Sequence, residues 1–275
     1  MIIAGKKGLV LGASRGIGLA IARTLSRKGV RLALPWFDWP ESAMAMEEEF
    51  GGQGSTHLTM QVDLREPKEV ARLMARISEH LGGLDILVNN IERGGMPILH
   101  GGYQREVNCE QWQLEMETTL HAKWLVFEQA LPLLRQSREA VVVNLSSIAG
   151  LIGRSGPAGL LFNDGYAAAN RGVSSLTETW ARIGAPSIRV NEIMLGLIDS
   201  RHGPGTRGWQ LLTEEQQQAL LAHTLLQRTG TPEEVAQAVL FLVRDADFLT
   251  GSVLRMDGGY VLGGEGAPSM PSGVL

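Results

Sequence analysis

The segment Gly12-Ala13-Ser14-Arg15-Gly16-Ile17-Gly18 constrains this chain more than any other because of what flanks it. The apolar run Gly8-Leu9-Val10-Leu11 comes before it, and Leu19, Ala20, Ala22 and Leu25 follow at helical spacing. That order reads as strand, glycine turn, helix. A helix leaving a strand through so tight a turn runs back along the sheet, so the next strand enters parallel to the first. Val30 to Leu34 resumes an apolar strand. The alternation recurs at Leu58 to Val62 after a helix over Glu41 to Phe50, at Leu84 to Asn89 after Val70 to Leu81, and at Ala140 to Leu145 after Trp112 to Leu134. Ile188 to Asn191 and Ser252 to Leu254 supply later strands, the second preceded by a helix over Pro232 to Val243. Such alternation predicts an α/β chain: a doubly wound parallel sheet with helices on both faces. Its ligand crevice should lie beyond the carboxyl ends of the strands, where strand order reverses.

The glycine turn also carries chemistry. Its backbone N–H groups and the positive end of the following helix face that crevice, an arrangement suited to a pyrophosphate. Spaced glycines also serve ordinary turns, so it is the position between strand and helix that points to a dinucleotide. Composition bounds the rest. With 275 residues, 44% of them hydrophobic, the chain can bury the core of one domain. Residues 1–262 are expected to form it, and 263–275, rich in Gly, Pro and Ser, to be a tail at a subunit interface. A formal net charge of −4 with scattered Lys and Arg gives no footprint for nucleic acid. No stretch reaches the roughly 18 apolar residues that would mark a membrane span, and Met1 to Leu11 is too short and Lys-interrupted for a signal peptide. The lone Cys109 reads as a small hydrophobe, in keeping with a cytoplasmic location, and no cluster has metal-ligand spacing. Two stretches, Arg93 to Val107 and Arg154 to Gly165, are long enough to serve function or assembly.

Taken in chain order, Gly12, Gly16 and Gly18, Asp63-Leu64, Asn89-Asn90, Asn144-Leu145-Ser146-Ser147, Tyr166, Ile188-Arg189-Val190-Asn191, Gly196, Thr250-Gly251 and Asp257-Gly258-Gly259 resemble one family. It is the short-chain dehydrogenase/reductase family, nearest to its 3-oxoacyl-acyl-carrier-protein reductase branch, over about Lys6 to Tyr260. The resemblance implies a Rossmann fold, a nicotinamide cofactor and hydride transfer to or from a small carbonyl or alcohol substrate. It also implies that Ser147 holds the substrate oxygen and that Tyr166 donates the proton. Cofactor contacts are implied at Gly12, Ser14, Arg15, Gly16, Ile17 and Gly18, at Asp63 to the adenine with Leu64 beside it, at Asn89 near the ribose with Asn90 and Ile91, and at Gly196, Ile198 and Ser200. Two relay positions depart from the family. Asn170 stands where a lysine binds the ribose and lowers the tyrosine pKa, and Thr119 stands where an asparagine kinks its helix and anchors a water. Two segments depart as well: the family's Asn-Asn-Ala-Gly reads Asn89-Asn90-Ile91-Glu92, bringing a carboxylate near the cofactor, and its Pro-Gly reads Leu195-Gly196.

A phenol with an ordinary pKa of about 10 needs a positive neighbour to exchange protons near neutrality. Residues i and i+4 share a helix face, so a lysine at position 170 could supply that charge, whereas Asn170 can only hold the ribose without it. Arg171 is turned about 100° around the helix and reads as surface. NADP is favoured over NAD. Trp36 occupies the usual acidic position at the end of the second strand, Asp38 lies two residues beyond, and Arg15 is basic where a 2′-phosphate would sit. His100 and His121 read as structural, Met44, Met46 and Met60 as core or pocket filler, and Glu47-Glu48-Glu49 as a solvated face. Two functions remain open: an NADP(H)-dependent oxidoreductase, or a catalytically silent nucleotide-binding protein acting as sensor or assembly partner. In either case a homo-oligomer is expected, a tetramer favoured over a dimer, with helices around Trp112 to Leu134 and Tyr166 to Ile183 pairing across subunits.

Overall fold

The computed structural model describes residues 1–52, 54–92, 109–199, 209–265, 267, 269 and 271. The first half of the chain runs β1 (Lys7–Val10), α1 (Gly16–Arg27), β2 (Arg31–Trp36), α2 (Pro40–Phe50), β3 (Leu58–Gln61), α3 (Pro67–Leu81) and β4 (Ile86–Asn89). A long helical stretch follows, α4 (Cys109–Glu115), a π-helical turn (Met116–His121) and α5 (Ala122–Leu134), leading into β5 (Ala140–Ser147) and the short α6 (Ala149–Ile152). The last third holds α7 (Asp164–Gly184), β6 (Ile188–Leu195), α8 (Glu214–His223), α9 (Pro232–Arg244) and β7 (Val253–Met256).

Seven parallel strands form one sheet in the order β3-β2-β1-β4-β5-β6-β7. The chain steps outward from β1 to β3 and then returns to place β4 on the other side of β1, so the order reverses between β1 and β4. There the glycine turn faces the end of β4, and the Asn90 side-chain amide donates to Leu11 O at 3.3 Å. One sheet face is covered by α1 and α9, whose Ile21, Leu25, Val235 and Val239 pack on Val10, Val88, Val143 and Ile193. The other is covered by α3, α5 and α7, where Leu73, Ile77, Phe127 and Trp180 meet Leu9, Leu87, Val142 and Val190. Because both faces are covered, β5 is buried at every position, which explains its apolar run Ala140–Val143. A third cluster, including Ile148, Phe162, Tyr166, Leu220 and Tyr260, closes over the carboxyl end of the sheet. The loop after α6 is tied into it, since the Tyr260 hydroxyl accepts from Ala158 N at 2.7 Å.

The sequence expectations need correcting in detail. The helix expected from Trp112 begins at Cys109 and is interrupted by the π turn. Within that region the Thr118 hydroxyl donates to Leu114 O at 2.6 Å, a local bond that competes with regular helical pairing. Cys109 opens α4 and is exposed. Met44 is 62% exposed and fills nothing, while Met46 two residues later is core. The acidic run on α2 is not merely solvated: Glu47 accepts from Trp36 Nε1 at 2.8 Å, and Glu49 binds Arg23 at 2.7 Å. His121 stacks on Trp124. The loop Arg93 to Val107, His100 and Ser200 lie outside the described residues. No helix among the described residues is long and apolar enough to cross a membrane, and none of their His, Cys, Asp and Glu side chains group as a metal site.

Candidate active site

A cavity of about 370 Å³ runs along the carboxyl edge of the sheet from the glycine turn to Tyr166. At its first end lie Gly12, Ser14, Arg15, Gly16 and Ile17. The turn is tight because it is glycine: a Cβ on Gly18 would stand 2.1 Å from Gly12 O, and one on Gly12 2.3 Å from Asn90 O. No side chain caps α1, so its first N–H groups are left to the cavity, the arrangement an anionic phosphate requires. Gly18 itself stands behind the turn and does not line the cavity.

Beyond the turn the wall is Pro35, Trp36, Phe37, Asp38 and Trp39, with Asp63, Leu64 and Arg65 opposite. The Arg15 guanidinium lies 3.3 Å above the Trp39 ring centroid. Asp63, expected on the adenine, is held by Arg65 in a two-pronged pair of 2.9 and 2.6 Å, and this guanidinium keeps its carboxyl below the usual range. Asn90 and Ile91 line the cavity, as do Gly196 and Ile198. Asn89 does not: it is fully buried and donates to Asn144 Oδ1 at 2.7 Å.

At the far end Ser147, the last residue of β5, faces Tyr166, the third residue of α7. Tyr166 is fixed from below because Asn163 caps α7 by accepting from Tyr166 N at 2.7 Å. The phenol donates to Glu92 Oε2 at 2.7 Å. Burial and the Glu92 carboxylate push the phenol well above its ordinary pKa, and the Ser147 hydroxyl opposes that shift. The two other expected relay residues do not reach the cavity. Asn170 is fully buried, its Nδ2 donating back to Tyr166 O at 2.9 Å, and Thr119 is fully buried with its hydroxyl 3.4 Å from Glu115 Oε2. Thr118 lines the cavity in place of Thr119.

Two buried charges behind this wall were not singled out in the sequence. Lys123 on α5 is 1% exposed and donates its amine to Leu145 O at 2.7 Å. Burial pushes that amine down to about 8, with Glu92 and then Glu192 pulling it back up. Glu192, on β6, is 0% exposed and accepts from the Ser146 and Ser174 hydroxyls, and burial raises its pKa. The available signal was a charged residue set against apolar neighbours: Lys123 within Ala122–Val126, and Glu192 directly before Ile193-Met194-Leu195.

Comparison with known proteins agrees with this geometry. The family model described as enoyl-(acyl carrier protein) reductase matches residues 12–261. The 3-oxoacyl-[acyl-carrier-protein] reductase FabG of Staphylococcus aureus is 30% identical over 259 residues, 94% of this chain and 98% of that protein. The D-beta-hydroxybutyrate dehydrogenase of Rhizobium meliloti is 30% identical over 264 residues, covering 93% and 98%. Among solved structures, a short-chain glucose/ribitol dehydrogenase from Brucella melitensis superposes with a TM-score of 0.80 at 25% identity, over 94% of this chain and 97% of that one. A Rossmann-type sheet, a glycine turn at its switch point and full-length relatives together place this chain in the short-chain dehydrogenase/reductase family of oxidoreductases, among its 3-oxoacyl-acyl-carrier-protein reductase-like members.

Proposed function

We propose that this protein is an NADP(H)-dependent oxidoreductase transferring hydride between the nicotinamide and a small carbonyl or alcohol substrate. The observation that carries the reading is continuity: one cavity joins the uncapped end of α1 to the facing Ser147 and Tyr166 side chains. The bound cofactor supplies the hydride. The chain's residues bind its phosphates at the glycine turn, and Ser147 and Tyr166 hold the substrate oxygen, with Tyr166 the source of its proton. Asn170 acts from behind, fixing the first turn of α7. The test is NADPH oxidation against a panel of small carbonyls, in which turnover of at least one supports the reading. Absence of turnover with intact cofactor binding favours the silent nucleotide-binding protein instead.

The 2′-phosphate form of the cofactor is supported by two guanidiniums, Arg15 and Arg65, beside the wall that ends β2. A charge-assisted hydrogen bond contributes roughly 1.5–3 kcal/mol, so NADPH should bind about tenfold or more tightly than NADH. Arg15→Ala should reduce the difference in a fluorescence titration. Equal affinities in the wild type would reverse the assignment.

Residues 1–262 form the catalytic domain in this reading, and the protein works in the cytoplasm as a homo-oligomer. Support for assembly comes from an apolar groove between the α4–α5 stretch and α7, lined by Trp112, Met116, Leu120, Trp124 and Leu176. Trp112 and Trp124 are each more than 40% exposed, a large apolar area for a monomer to leave in water. The occupant is the same face of a second copy, with a tetramer as the complete assembly and the 263–275 tail near a partner. Light scattering at micromolar concentration should give a tetramer, and Trp124→Glu should dissociate it; a wild-type monomer would refute the assembly.

A further inference from the structure

We propose that Glu92 is the proton partner of Tyr166, so that the phenol exchanges its proton with a carboxylate at the cavity mouth instead of through a lysine at position 170. The inference rests on the hydride-transfer reading. Tyr166 is 7% exposed and has its hydroxyl on Glu92 Oε2 at 2.7 Å, while Glu92 itself is exposed, so one end of the pair faces the reacting oxygen and the other faces water. Asn170 cannot compete for this role, since it lies off the cavity with its amide turned to Tyr166 O.

Among the described residues the charged groups around the pair include Glu115 from α4, which disfavours the phenolate, and Lys123 from α5, on whose amine the Glu92 carboxylate acts. Glu192 lies behind Lys123 on β6, with Arg171 of α7 beyond it. Lys123 lies off the cavity, so it sets charge without touching the reacting atoms and is a positioning residue.

In the reducing direction the Tyr166 O–H bond breaks as its proton passes to the substrate oxygen, whose carbon has gained the cofactor's hydride. The phenolate is then reprotonated from water by way of the Glu92 carboxylate, which takes up a proton from solvent, hands it on and ends as the carboxylate it began as. Alcohol oxidation runs the same steps in reverse: Tyr166 passes the substrate's proton to the Glu92 carboxylate, which releases it to solvent. Both directions therefore pass their proton through Glu92, so the pH profiles of both should change when Glu92 is replaced.

The experiment uses the full chain with and without cofactor. Without cofactor, tyrosinate absorbance is titrated in wild type and Glu92→Gln, with Tyr166→Phe identifying which of the three tyrosines is read. Glu92→Gln should ionise Tyr166 at lower pH, because a negative neighbour has gone. With NADPH and a carbonyl that the wild type turns over, Glu92→Gln should lower kcat by about 10²-fold with the cofactor KM unchanged, and adding Asn170→Lys should restore part of it. Wild-type kcat and pH profile in Glu92→Gln would overturn the proton role while leaving hydride transfer standing. A kcat loss with unmoved Tyr166 ionisation and no rescue would overturn it as well, marking Glu92 as structural. No turnover by the wild type would remove the hydride-transfer reading itself and the relay with it, whatever the tyrosine titration showed.

Discussion

Tyr166→Phe is expected to lower kcat/KM for carbonyl reduction by about 10²- to 10⁴-fold, the usual loss when a positioned acid is removed. The substitution removes one oxygen and little else. The ring keeps its stacking on Phe162, with centroids 5.9 Å apart, and the Asn163 cap reaches the backbone nitrogen, which the variant retains. The lost hydroxyl contacts run to an exposed carboxylate that water can resolvate and to the Ser147 hydroxyl, which keeps its bond from Ala149 N, so the stability change should stay within about 1 kcal/mol. Cofactor affinity should be unchanged, because the glycine turn lies at the other end of the cavity. Fluorescence titration, thermal melting and steady-state kinetics on the same preparation separate these effects. Full activity in Tyr166→Phe would remove the tyrosine from the chemistry.

The sheet was legible in the sequence because a strand buried on both faces reads as a run of apolar residues, and Gly8–Val10 of β1, Ile86–Val88 of β4 and Ala140–Val143 of β5 supply such runs. The strand ends were less legible. β5 runs on to Ser147 and β6 to Leu195, since their pairing continues through Ser146↔Met194 and Ser147↔Leu195, and no local propensity announces that register. The site divides in the same way. Gly12, Gly16, Ser147 and Tyr166 are placed by chain-local geometry at strand ends and helix starts, and their meeting at one edge follows from the topology. Asn170 shows the limit of spacing arguments: it shares a turn with Tyr166, but its short side chain bonds back to the carbonyl four residues earlier and never reaches the cavity. Lys123 and Glu192 were harder still. They come from α5 and β6, and the π turn ahead of α5 shifts which residues face inward, so only the assembled fold brings them toward Glu92, the carboxylate that follows β4.

Lys123 gives the largest expected effect on stability, and its sign is unusual. Its amine is held at about 8 in the folded chain against the ordinary value of 10.5 for a lysine. Between these values the unfolded chain binds a proton that the folded chain has released, so stability rises with pH across the window and falls again as pH drops through about 8. The rise amounts to about 3 kcal/mol at full extent, a large fraction of the stability of a domain. Tyr166 shifts the other way. Its raised phenol contributes stability that is lost as pH climbs above the ordinary tyrosine value, so the clean interval closes near pH 10. Glu192 is also raised and loses stability as pH climbs out of the carboxylate range, but it is present in both chains of a comparison between wild type and Lys123→Met. Methionine keeps the volume and removes the charge. At neutral pH the relief of a buried ammonium is set against the loss of the bond to Leu145 O, roughly 1–3 kcal/mol in the opposite direction, so the midpoints there should differ little. The slope is therefore the diagnostic. Urea unfolding midpoints between pH 8 and 10 should climb in wild type and stay flat in Lys123→Met; parallel curves would mean that the buried amine keeps its proton throughout and that its carboxylate neighbours, not desolvation, set its state.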